Sequence, residues 1–179
     1  MERKLKGKLK NIKLLILDVD GVMTDGRIIM DDEGREIKQF DVRDGHGIKL
    51  IQRYGIKVVF LTGRKSEVVK YRARDLEIKE VYQKIFNKKE IFARILRKNK
   101  LDSNAVAYIG DDIIDIPVLK AVGFSAAVFD ALTVVKKSVD YVTKSSGGRG
   151  AVREVCDLIL QAQGVWPEIA AKYEFTEHL

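Results

Sequence analysis

A single cysteine, Cys156, stands among 179 residues, which excludes an internal disulfide. No apolar run approaches the ~20 residues that a membrane-spanning helix needs. The basic N-terminus lacks the apolar stretch of a signal peptide. Zinc-finger spacing, RNA-binding aromatic motifs and an obvious recognition helix are all missing, which argues against nucleic acid as a partner. There are no internal repeats and no low-complexity linker. What remains is 46% hydrophobic and of a length suited to one packed domain. These features predict a soluble cytoplasmic protein with no membrane partner.

The net charge of +7 is concentrated at one end. Residues 1–13 carry six basic side chains (Arg3, Lys4, Lys6, Lys8, Lys10, Lys13) against Glu2, and so supply +5 of it. This segment reads as a solvated, partly frayed extension. Residues 14–163 form the expected domain, and 164–179 a tail whose structure and function the sequence does not disclose.

Within the domain, strand-like and helix-like segments alternate. Leu14–Leu17, Lys57–Leu61 and Val106–Ile109 are short apolar runs of the kind that parallel strands bury on both faces. Glu80–Tyr82, Phe124–Val128 and Tyr141–Val142 add shorter strands. Helices are predicted around Gly47–Arg53 and over Ser66–Leu76, Lys88–Lys98, Asp112–Val122, Ala131–Ser138 and Ala151–Ala162. Asn87 and Glu90 have the spacing of a helix-capping pair. Residues 27–41 read as a β-hairpin turning at Asp31-Asp32-Glu33-Gly34. This alternation predicts an α/β fold, a doubly wound, mostly parallel sheet of Rossmann-like type.

Four strand ends or helix starts bear unusual polar groups. Asp18 and Asp20, with Gly21, follow the first apolar run. Thr62-Gly63-Arg64 follows the second. Asn87-Lys88 opens a helix. Gly110-Asp111-Asp112-Ile113-Ile114-Asp115 follows Val106–Ile109. Each alone has an ordinary meaning as a cap, a turn or a surface charge. Together they meet the demands of phosphoryl transfer, whose transition state spreads negative charge over the phosphoryl oxygens. A carboxylate can attack phosphorus. A second carboxyl group can protonate the leaving alkoxide and later take a proton from water. A hard cation such as Mg²⁺ offsets the repulsion between carboxylates and phosphate. Hydroxyl and ammonium groups can hold the remaining oxygens.

In this order the motifs resemble the haloacid dehalogenase superfamily of phosphohydrolases, over about Leu14 to Gln163. The resemblance implies that Asp18 is the nucleophile and Asp20 the general acid/base. It implies Mg²⁺ held by Asp18, the Asp20 carbonyl and Asp111, with Asp112 and Asp115 shaping that site. Thr62 and Lys88 would hold the phosphoryl group; Lys88 is preferred over its neighbour Lys89 because it directly follows Asn87.

Neither usual insertion point leaves room for a cap domain, so the hairpin is the only flap. The segments Asp41–Gly47, Thr62–Arg64 and Gly147–Glu154 resemble, more narrowly, the capless 3-deoxy-D-manno-octulosonate 8-phosphate (Kdo8P) phosphatase family of lipopolysaccharide precursor synthesis. That likeness implies a homotetramer with shared active sites and a phosphorylated sugar-acid substrate. It suggests substrate contacts from Asp41, Val42, Arg43, Asp44, Gly45, Lys49, Arg64 and Arg72, besides Asp20 and Lys88, and a loop contact from Arg149. Arg64 suits a carboxylate and favours the eight-carbon acid over a sialic-type nine-carbon acid 9-phosphate. His46 departs from the aromatic Tyr common in the family. A non-catalytic binding protein of the same fold is the remaining alternative, disfavoured because every catalytic carboxylate is present.

Overall fold

A computed structural model describes residues 3–176. Eight strands are β1 (Leu14–Leu17), β2 (Ile29–Met30), β3 (Glu36–Ile37), β4 (Lys57–Leu61), β5 (Glu80–Tyr82), β6 (Val106–Gly110), β7 (Phe124–Ala127) and β8 (Tyr141–Val142). Six of them form one parallel sheet in the order β5-β4-β1-β6-β7-β8. Strands β2 and β3 pair antiparallel as the separate hairpin. The helices are α1 (Arg3–Leu9), α2 (Val42–Arg53), α3 (Glu67–Asp75), α4 (Lys88–Asn99), α5 (Ile116–Leu119), α6 (Thr133–Lys136), α7 (Ala151–Ala162) and α8 (Trp166–Lys172).

The apolar runs dictate this layout. All four residues of β1 and all five of β6 are buried, as central strands covered on both faces must be. From β1 the chain winds outward through β4 to β5, then returns to place β6 on the other side of β1. The carboxyl ends of β1 and β6 therefore flank the point where the winding reverses, the crevice in which open α/β sheets bind ligands. Register places Leu17 between Phe60 and Ile109, so Asp18 emerges level with the ends of β4 and β6.

Several boundaries differ from the sequence reading, each for a local reason. Helix α2 begins at Val42 rather than near Gly47, because the Asp41 carboxylate accepts from Arg43 N and Asp44 N and caps it. The segment after Asp112 is a 3₁₀ turn, Ile113–Asp115, leading into the short α5. Asp112 accepts from Ile113 N at 2.6 Å while staying exposed, and the buried Asp115 accepts from Asp111 N and Asp112 N. The basic N-terminal segment is not frayed over its described residues. It forms α1, buries Leu9 and Ile12, and pairs Lys8 with Asp140 at 2.5 Å. The tail after Gly164 forms α8, tied back by Tyr54 Oη donating to Glu168 at 3.2 Å.

Helices α2 and α7 pack on each other, and Asp44 joins them. Helix α7 starts at Gly150 with no side-chain cap of its own. The buried Asp44 supplies one from across the interface, accepting from Gly150 N at 3.3 Å and Arg153 N at 2.8 Å. Burial pushes its carboxyl from the ordinary 3.8 up to about 6, against the pull of those two N–H groups. Removing a buried acceptor costs about 1–3 kcal/mol, so Asp44→Ala is expected to lower the urea-unfolding free energy by about that amount. The raised pKa makes the contribution of Asp44 largest below pH 3.8 and diminishing as pH rises through about 6. The stability advantage of wild type over Asp44→Asn should accordingly shrink across that window.

Candidate active site

Asp18 leaves the end of β1 with its amide held by Ile109 O at 3.1 Å and the residue only 5% exposed. Its Oδ1 lies 3.0 Å from Lys88 Nζ. Lys88, the first residue of α4, is itself buried. Asn87 caps that helix, accepting from Glu90 N at 3.3 Å, and so fixes where Lys88 enters. The ammonium donates to Asp115 Oδ1 at 2.5 Å and Tyr108 Oη at 3.2 Å. Burial opposes the Lys88 charge, but Asp18 and Asp115 outweigh it and hold its pKa above the ordinary value.

Three carboxylates converge here. Asp18, Asp111 and Asp115 each offer an oxygen within 4.8 Å of the others. Both oxygens of Asp115 are occupied. Oδ1 accepts from Lys88 and Tyr108, and Oδ2 accepts from Asp111 N at 3.0 Å and Asp112 N at 3.2 Å. Asp18 Oδ1 and Asp111 Oδ1 are buried without an aligned hydrogen-bond donor. One ammonium thus faces three carboxylates. Burial first, then carboxylate repulsion, pushes Asp18 up to about 7 and Asp111 to about 8. Unsatisfied hard oxygens with excess negative charge are the donor set that a divalent cation neutralises. Gly21 makes this approach possible. Its φ is +93°, and a Cβ there would lie 2.1 Å from Asp111 Oδ2.

Asp20 is gripped from two sides. Thr62 Oγ1 donates to its Oδ2 at 3.3 Å. Lys38, reaching in from the hairpin, pairs with its Oδ1. Lys38 also pairs with Glu36 at 3.1 Å, and Glu36 accepts from Arg64 Nη2 at 3.0 Å. The sequence reading passed over Glu36 and Lys38. Their signal was present, since opposite charges two residues apart share one face of a strand.

The open cleft has a volume of about 200 Å³ and is lined by Asp18, Asp20, Thr62, Gly63, Arg64, Asp111, Asp112 and Ile114. Lys88 stands behind Asp18 rather than on the wall. Several expected substrate contacts lie elsewhere in the chain. Asp44 is fully buried as the α7 cap, and Gly45 is buried against Arg72. Arg72 donates to Asp75 at 2.6 Å and to Asp41 O at 3.4 Å, with its guanidinium 5.4 Å from the Phe40 ring centre. Lys49 pairs with Glu77 at 3.2 Å and Arg43 with Asp41 at 3.2 Å. Val42 and Arg149 are exposed. The loop bearing Arg149 does adjoin the site turn, because Gly148 N donates to Val22 O at 2.9 Å. Gly147 permits this contact, since a Cβ there would meet Gly21 O at 1.8 Å.

An aspartate-rich crevice at the switch point of a parallel sheet, with Thr62 and Lys88 beside it, defines a haloacid dehalogenase-like hydrolase. The family model of that description matches residues 75–155. The match sharpens with individual relatives. The 3-deoxy-D-manno-octulosonate 8-phosphate phosphatase KdsC of Escherichia coli K12 is 51% identical over 157 residues, covering 88% of this chain and 84% of that protein. The crystal structure of the Yersinia pestis phosphatase of the same name superposes with a TM-score of 0.90 at 46% identity, covering 92% of this chain and 89% of that one. The Moraxella catarrhalis phosphatase, solved with magnesium, phosphate and KDO, gives a TM-score of 0.94 at 37% identity, covering 97% and 99%. The chain belongs to the Kdo8P phosphatase family of haloacid dehalogenase-like hydrolases.

A cation bound to the folded state alone adds about 2.7 kcal/mol of stability at a hundred times its dissociation constant. Mg²⁺ is therefore expected to raise the melting temperature of metal-stripped protein. Asp111→Asn should abolish most of that shift, as read by differential scanning fluorimetry with and without EDTA.

Proposed function

We propose that this chain hydrolyses Kdo8P to Kdo and inorganic phosphate with Mg²⁺ as cofactor. The observation that carries the reading is the underbonded, buried Asp18 carboxylate facing a cleft walled by Asp20, Thr62 and Arg64. Relatives half identical over most of the chain carry the same activity in their names. Asp18, Asp111 and the Asp20 carbonyl would hold the cation, which offsets charge between carboxylate and phosphate when bound. Asp115, with both oxygens engaged, orients Lys88 and the Asp111–Asp112 backbone instead.

The chemistry assigned to the chain's own groups is a double displacement. An Asp18 oxygen attacks phosphorus as the bond to the sugar oxygen breaks, and Asp20 delivers its proton to the departing alkoxide. Asp20 then takes a proton from water as the water oxygen attacks phosphorus and the Asp18–phosphorus bond breaks. Thr62 orients Asp20 and lies within reach of a phosphoryl oxygen. Lys88 favours the ionised form of Asp18 against the effect of burial. Arg64 suits the sugar-acid carboxylate, since its fork can bind both oxygens.

The reading extends to a homotetramer with shared sites. No cap covers the cleft among the described residues, while Ile28, Met30 and Ile37 of the hairpin segment and nearby Ile113 are all more than half exposed. Such apolar side chains around an open cleft suit a neighbouring subunit. The exposed Val42, Arg43 and Arg149 would then serve an adjoining cleft, whereas Asp44 and Gly45 act by holding α2 to its neighbours.

Phosphate release from a panel of sugar-acid phosphates tests the substrate, with Kdo8P expected to exceed the nine-carbon 9-phosphates in kcat/KM. The reverse order would overturn the role given to Arg64. Asp18→Asn should fold normally and lose at least about 10³-fold in kcat, because a nucleophile has no substitute. Light scattering on the active protein should report four copies.

A further inference from the structure

We infer that Lys38 is a positioning residue for the reaction, fixing which oxygen of Asp20 carries the catalytic proton; this rests on the acid/base role proposed for Asp20. The Lys38 side chain is only 1% exposed, an unusual burial for an ammonium on a two-stranded hairpin. It is compensated on two sides, by Asp20 Oδ1 and by Glu36 at 3.1 Å. A lysine ammonium can only donate. The hydroxyl oxygen of a protonated carboxyl is the weaker acceptor of the two, so the ammonium favours Asp20 Oδ1 as the oxygen without the proton. The proton that Asp20 carries is directed to Oδ2, the oxygen 3.3 Å from Thr62 Oγ1 on the cleft wall. Thr62 is a hydroxyl and can accept as well as donate, so it tolerates both states. Lys38 and Thr62 together lock the carboxyl plane, and only the Lys38 side disfavours the proton.

The geometry also explains why the anchor comes from the hairpin. Glu36 and Lys38 lie two residues apart and project to the same face, toward the site. Glu36 is held in turn by Arg64 at 3.0 Å. The row Arg64–Glu36–Lys38–Asp20 alternates in sign from the partly exposed guanidinium to the acid/base. Two positive and two negative groups balance it, so burying Lys38 leaves no net charge within this row.

The test compares two leaving groups. A sugar alkoxide needs a proton from Asp20 to depart, whereas p-nitrophenolate departs without one. General acid catalysis contributes about 10²–10⁴-fold, and its loss should fall on the alkyl ester selectively. Lys38→Met is expected to lower the ratio of kcat for Kdo8P to that for p-nitrophenyl phosphate by about tenfold or more. Lys38→Arg, which keeps the charge and the donors, should restore most of the ratio. Glu36→Gln provides a second variant that leaves the ammonium in place but loosens its anchor, and it should lower the kcat ratio severalfold even if Lys38→Met does not fold; because Glu36 also holds Arg64, changes in carboxylate binding are read separately in KM. Equal losses on both esters, or an unchanged ratio in the folded variants, would overturn the inference. Asp20→Asn separates this failure from that of the underlying reading. If its ratio is unchanged, Asp20 is not the acid; if its ratio falls while the Lys38 and Glu36 variants keep theirs, the assignment to Lys38 alone is wrong.

Discussion

One buried ammonium holds the site together. Lys88 is the cation that reaches both Asp18 and Asp115, and it does so from inside the protein rather than from the cleft wall. Desolvating an ammonium costs several kcal/mol unless close, well-oriented partners offset it. Here two carboxylates and the Tyr108 hydroxyl do so. The arrangement is only half compensated from the carboxylate side, because Asp111 adds a third acid that Lys88 does not touch. Burial, reinforced by that surplus negative charge, raises Asp18 to about 7 and Asp111 to about 8, and the surplus gives the site its appetite for a divalent cation.

The sheet order makes that meeting possible. Asp18 ends β1, Asp111 follows β6, and these strands are neighbours only because the chain reverses its winding between them. Lys88 arrives from the helix after β5, on the far side of β4. Asp115 is turned inward by the 3₁₀ step after β6, which lets one side chain bond to Lys88, Tyr108 and two backbone amides. A regular helix directly from Asp112 would carry Asp115 out of that position. The 3₁₀ turn ahead of α5 is thus tied to the inward placement of Asp115.

Much of this was legible in the sequence, for physical reasons that differ by element. The central strands are unbroken apolar runs ended by polar residues, and a parallel sheet leaves little choice for such segments. The strand-end motifs were legible because phosphoryl transfer asks for particular groups at strand ends. Helix α2 was read too short because Gly45 and Gly47 weaken the helical pattern. Those glycines answer to packing, as Arg72 and Arg153 occupy the space their side chains would fill. Asp44 entered the expected substrate contacts through the family likeness of its motif, not through a local physical signal. Its actual partners, Gly150 and Arg153, lie more than a hundred positions away, and no local pattern announces a cap supplied across an interface. Helix α1 was obscured by its lysines, although Leu5 and Leu9 seat it on the core and Ile12 is buried just after it.

The hairpin joins these arguments. A two-stranded ribbon is marginal by itself in water. This one has just two residues in each strand. Its inner face carries Glu36 and Lys38, which bind Arg64 and Asp20, while Ile37 on the opposite face is exposed. That is the reverse of an ordinary flap, which turns its apolar side inward. Ion pairs alone would hold such a ribbon weakly where they meet solvent, but Lys38 is out of solvent and its pairing is correspondingly stronger. An apolar outer face covered by a neighbouring subunit would remove the hairpin's remaining freedom. Assembly would then tighten the grip of Lys38 on Asp20, and the absence of a cap would be met by placement of the acid as well as by closure of the cleft.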